Sequence, residues 1–204
     1  MMNASQTTSS QLRNPLLNFI GEGIWGFQAS FVASATVLTI LLQDFGASER
    51  LIGSITAIEG VLTSLPSVIG VYLFRSERTR KRGLLLWHAV AMVPFLFVSG
   101  ALVSYSPHLS ARVVRLGLLA SFACFMASLG VIVGVWMDWL AHLYDIRIRG
   151  TVLGAGFFAS ATMGSAGGLI AGWILRSYPG RTTFAGFYYL AGVLALLSIL
   201  CFCF

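Results

Sequence analysis

The chain of 204 residues is 57% hydrophobic and only 10% charged, with 22 glycines, a single lysine and a mean hydropathy of +0.84. A soluble domain carries roughly a quarter charged residues, so this composition excludes a water-soluble enzyme. It also excludes a nucleic-acid-binding domain: the net charge of +6 has no soluble fold on which to form a basic face.

Apolar runs of about 18 residues or more can cross a bilayer as helices, because every backbone group is then satisfied within the segment. Six such runs are expected, at about 16–42, 51–74, 83–104, 113–141, 151–175 and 182–204. Short links join them, and the whole chain reads as one all-α membrane domain. Residues 1–15, polar and rich in Ser and Thr, read as a flexible tail before a retained first helix, since a secretory signal has a basic start and a shorter apolar core. Between the second and third spans stands RSERTRKR, residues 75–82, with five cationic side chains. With the N-terminus inside, the inner segments carry Arg13, those five, Arg147 and Arg149. The outer segments carry Arg50, Arg112, Arg115, Arg176 and Arg181. Inner loops are the richer in Lys and Arg, so both termini are expected on the cytoplasmic side of the cell's inner (plasma) membrane. The last span ends without a polar or basic anchor, as though more chain should follow. Cys124, Cys201 and Cys203 all fall in apolar spans with no metal-ligand spacing, and no cofactor is expected.

Two loop segments resemble the major facilitator superfamily of secondary transporters. The pattern G-x-x-x-D-R-x-G-R-R/K between its second and third helices is matched by Gly70, Arg75, Arg78, Arg80, Lys81 and Arg82, with Phe74 in the place of the Asp and Glu77 in that of the second Gly. WMDWLAHLYDIRIRGTVLG, residues 136–154, is similar to its W-x-x-W stretch through Trp136, Trp139, Arg149, Gly150 and Gly154. The resemblance implies the N-terminal six-helix half of a transporter, built as a three-plus-three inverted repeat. GVYLFRSERT and GWILRSYPGRT, at the ends of the second and fifth spans, are a faint trace of such a repeat. The missing partner would be a C-terminal six-helix half or a second copy of the chain. Gly164, Gly168 and Gly172 in the fifth span form a stripe expected to pack on another helix, most simply the first.

Ionisable groups at membrane depth cost about 2.5–3.5 kcal/mol on insertion scales and face a cavity or a partner. Glu22 lies on a small, polar stripe with Asn18, Gly26 and Ser30. With Trp25 and Gln28 nearby, it is the leading candidate for a cavity taking a small solute or a coupling proton; capping of a neighbouring backbone is the other role open to it. Glu59 could be held in a salt bridge by Arg115 or could exchange a proton. His88 is expected to bond locally. Asp138 and His142 are expected to receive arginines from 75–82, so that Arg75, Arg78, Arg80, Asp138, His142 and Arg149 form a gate at the cytoplasmic end. The function expected is transport of a small solute by alternating access, in contact with membrane lipid. The alternative is a non-transporting or remnant subunit. An intramembrane enzyme is disfavoured, since Ser165 has no base in register and H-E-x-x-H is missing from the sequence.

Overall fold

The computed structural model describes residues 4–203, with side chains from Arg13 onward, and the secondary structure among these residues is entirely helical. Six helices are long and apolar enough to cross a membrane: α1 (Arg13–Asp44), α2 (Glu49–Leu73), α3 (Glu77–Ser104), α4 (Ala111–Leu143), α5 (Ile146–Ser177) and α6 (Arg181–Cys201). This is the layout of a multi-pass membrane protein. The boundaries depart most from the sequence reading in two places. The helical backbone of α1 runs back to Ala4, through most of the expected tail, because Ser, Thr and Gln cost a helix only a few tenths of a kcal/mol each, roughly. RSERTRKR is largely helix: Phe74–Ser76 form the link and α3 starts at Glu77. Arg and Lys are good helix formers, and Glu77 places a negative charge at the positive end of the helix dipole.

Three helices are interrupted. In α1 the helix stops at Ser30 and resumes over Ser34–Leu38 as a wide π turn, in which the Leu38 amide donates to Ala33 O at 3.1 Å. The Thr39 hydroxyl takes up the Ser34 carbonyl at 2.8 Å. In α2, Pro66 has no N–H to offer Leu62 O. In α3, Pro94 cannot donate to Val90 O, and a π turn over His88–Met92 absorbs the defect.

The main packing pairs are α1 with α5 and α6, α4 with α2 and α3, and α3 with α6. Exchanging α1, α2 and α3 for α4, α5 and α6 leaves this set of pairs unchanged. The correspondence extends to single residues. Gly26 of α1 lies on the Ser160 backbone of α5, while Gly130 of α4 lies on the Leu62 and Thr63 backbone of α2. Gly167 of α5 meets Phe27 O, and Gly70 of α2 meets Val131 O. Gly100 of α3 faces the Tyr189 ring, and Gly192 of α6 faces the Phe97 ring. In lipid, helices associate through close van der Waals packing, and positions without a Cβ let backbones touch.

The glycine stripe is corrected by these contacts. Gly164 faces the Gly26 carbonyl, so α1 is the partner, but Gly168 and Gly172 are exposed with open space beside them. A strict four-residue step overruns the 3.6-residue turn and winds off the interface. The contacting series breaks its four-residue steps with one of three, from Gly164 to Gly167: Gly156, Ser160, Gly164, Gly167 and Ala171. The contact equivalent of Gly70 is therefore Gly167, not the Gly172 that opens GWILRSYPGRT.

A methyl group at Gly26 or Gly130 would fall on a carbonyl of the facing helix. Gly26→Ala and Gly130→Ala are each expected to destabilise the fold by about 1–3 kcal/mol. Gly168→Ala should be neutral or stabilising by up to about 1 kcal/mol. Thermal unfolding of the three purified variants compares them directly.

Candidate functional site

Two cavities lie end to end along α1 and α4. Trp25 and Leu129 line both and form the partition between them. The first, of about 210 Å3, holds Asn18 and Glu22 from α1, His88 from α3, Trp136 from α4 and Ser160 from α5. The Trp136 indole N–H points at Glu22 Oε1 from 3.5 Å. The Trp136 ring packs edge-on against Phe202, with centroids 4.8 Å apart, and against His88 at 4.9 Å. His88 Nδ1 lies 2.8 Å from Leu84 O. A carbonyl only accepts, so Nδ1 carries the proton and Nε2 is left without one in the neutral ring. Asn18 is 2% exposed, and neither amide atom has a protein partner.

The second cavity, of about 340 Å3, surrounds the break in α1. Glu59 of α2 enters it and accepts a 2.6 Å hydrogen bond from the Ser34 hydroxyl. Gln28 is 1% exposed, and its carbonyl oxygen has no partner. Thr63, Ser99, Ser121 and Tyr188 complete the polar part of its wall.

The two cavities correspond across the exchange of helices. Helix 1 lines the first with Asn18, Glu22 and Trp25, and α4 lines the second with Phe122, Met126 and Leu129, at the same positions relative to Gly26 and Gly130. The acids do not correspond. Met126 stands in the place equivalent to Glu22. Gly156, which touches the Glu22 side chain, stands in the place equivalent to Glu59. Each cavity thus has one carboxylate, supplied from a different helix.

The structure redistributes the residues singled out in the sequence. Asn18, Glu22, Trp25 and Gln28 do not share one site: Gln28 belongs to the second cavity only. The stripe through Gly26 and Ser30 is spent on packing against α5. Glu59 and Arg115 do not pair. The break in α1 brings Ser34 to Glu59, while Arg115 donates to Phe45 O at 3.1 Å and Gly46 O at 2.8 Å, carbonyls orphaned where α1 ends. At the arginine-rich end, Arg80 alone reaches Asp138, at 3.0 Å, and its Nε donates to Phe74 O at 3.0 Å. His142 lies 3.4 Å from the same carboxylate. Arg75, in the link before α3, and Arg78, in the first turn of α3, are both exposed and take no part. Arg149 is half-buried on α5, its Nε without a hydrogen-bond partner. Tyr144 donates to Asn14 O at 3.3 Å and Lys81 to Cys203 O at 3.3 Å, tying the same end together.

Sequence reasoning missed the break in α1, the place of His88 in a cavity wall and the contact of Trp136 with Glu22. Ser34 and Thr39, two hydroxyls flanking a turn inside an apolar span, are the local sign of the break. Pro94 was the sign of the defect that re-aims His88. Among the described residues no group of three or more His, Cys, Asp or Glu could hold a metal ion. Compared with known protein families, curated proteins and solved structures, the chain shows no significant match to any of them.

The Asp138 side chain is half-exposed and Arg80 is mostly covered. A double-mutant cycle with Arg80→Ala and Asp138→Ala is expected to return about 0.2–1 kcal/mol of coupling. That coupling should shrink as salt is raised from about 0.1 to 1 M.

Proposed function

We propose that the chain is one six-helix half of a secondary transporter of the major-facilitator type, moving a small solute by alternating access. The observation that carries this proposal is the pair of cavities separated by Trp25 and Leu129, each with a carboxylate at membrane depth. Transporters of this class place their sites near the midplane, at the interface of inverted repeats and beside interrupted helices. Three features support an inverted-repeat arrangement: the exchange of packing pairs, the matched glycine contacts and the opposite directions of α1 and α4. In this proposal the Arg80–Asp138–His142 cluster closes the inner end, Glu22 contacts solute or a coupling proton, and the N-terminus is cytoplasmic in the inner membrane. A second six-helix unit, a further domain or another copy, completes the central cavity.

Two experiments test the proposal. Ser76→Cys and His108→Cys, placed in a background with Cys124, Cys201 and Cys203 replaced by Ala, should react with an impermeant maleimide from opposite sides of intact cells. Reaction of both from one side would end the topology.

The functional test is uptake of a panel of radiolabelled sugars, amino acids, amines and carboxylates into vesicles under an imposed pH gradient. Uptake of at least one solute should fall about 10-fold or more in Glu22→Gln, while expression and melting temperature are kept. Gln preserves the size of Glu22 and an acceptor for Trp136, so the comparison isolates charge. Undiminished uptake in Glu22→Gln would refute the role of Glu22. If no solute moves in any arrangement, the chain is a non-transporting subunit.

A further inference from the structure

We propose that the cavity at the break in α1 is a binding site for a small organic ammonium ion, with Glu59 as its counter-charge. The lining supplies acceptors and no competing cation. Ser34 donates to Glu59 Oε2, which leaves the other carboxylate oxygen for a ligand. The Gln28 carbonyl oxygen is buried at 1% exposure, lines the same space and lacks a partner. A buried acceptor left in that state is costly unless a donor arrives. Ser99 and Ser121, 4% and 5% exposed, add hydroxyl oxygens. Among the described residues, no Lys, Arg or His contributes to the wall.

Among the Ala, Val, Leu and Met side chains that make up the rest of the wall stand five aromatic rings: Trp25, Phe95, Phe122, Phe125 and Tyr188. Ring faces attract a cation, and most strongly where water is excluded. Size decides between an inorganic and an organic ion. A bare hard cation needs about six or more oxygens within roughly 2.6 Å, whereas this chamber has one carboxylate and about 340 Å3 of space. That volume lies in the range of small-molecule sites, about 300–1,000 Å3. An anion would find no positive side chain, and a neutral guest would leave the carboxylate without a counter-charge. The first cavity is smaller, and its carboxylate already faces the Trp136 N–H.

The assignment stands on the chamber itself. Binding without flux would retain it while removing the transport proposal, and flux without binding would do the reverse. The experiment is titration of the full chain in lipid nanodiscs with benzylammonium, whose N–H groups can donate to Gln28 and Glu59, followed by tryptophan fluorescence and calorimetry, with empty nanodiscs subtracted. Saturable binding is expected, weakened at least 10-fold by Glu59→Gln and unchanged by Glu77→Gln at the exposed start of α3. Phenylmethanesulfonate, of similar size and opposite charge, should not bind. Glu59→Gln keeps an acceptor for Ser34, so folding should survive. Should it not, Phe122→Leu decides: several-fold weaker binding supports the site and unchanged affinity overturns it. Absence of saturable binding, equal affinity in Glu59→Gln, or loss in Glu22→Gln with retention in Glu59→Gln would each overturn the proposal.

Discussion

Direct backbone contact between helices is the constraint on which the rest of the molecule depends. Gly26 on Ser160 and Gly130 on Leu62 and Thr63 bring α1 onto α5 and α4 onto α2 with no side chain between. Lipid tails are as apolar as leucine, so apolar side chains alone give helices little reason to prefer one another over the bilayer. Close approach supplies that reason. It also uses one face of α1 and one face of α4 for packing, and the neighbouring faces are left to border open space. Pro66 contributes to the second crossing: it frees the Leu62 carbonyl, which then meets Gly130.

Irregular backbone does the remaining shaping. A continuous helix through Phe31–Ala33 would carry Ser34 to a different azimuth and leave Glu59 without its hydroxyl. The interruption is tolerated because the freed Ser34 carbonyl is met by Thr39 and because the segment borders a cavity rather than lipid. The π turn in α3 does the same for His88, whose ring is held between Trp25 and Trp136. Each chamber therefore depends on one defect in a helix that hydropathy alone presents as uniform.

What could be read from the sequence divides along physical lines. The six spans were legible because bilayer thickness imposes a length that hydropathy reports directly. The contact of Arg80 with Asp138 was legible because few charges exist and both lie at one end of the bundle. Glu22 was legible as a cavity residue because a membrane carboxylate has few options. The partner of Glu59 was not, since it depends on a backbone break that no Gly or Pro announces. Nor was the true glycine face of α5, because Gly164, Gly168 and Gly172 look periodic on paper, while the helix advances by 3.6 residues and selects Gly167 and Ala171. The separation of Gln28 from Glu22 needed the position of Trp25, which walls off one from the other.

The different origins of the two acids have an electrical consequence. Glu22 and Ser34, the hydroxyl that holds Glu59, are twelve positions apart on α1. At about 1.5 Å per residue this is on the order of 15–20 Å, over half of a hydrocarbon core roughly 30 Å thick. A unit charge passed from one carboxylate to the other would cross about half of the membrane voltage, worth roughly 1 kcal/mol per 100 mV. Had both acids stood in one chamber, the same handover would have been electrically silent. With one on either side of Trp25, a cation handed from one chamber to the other would respond to the membrane potential.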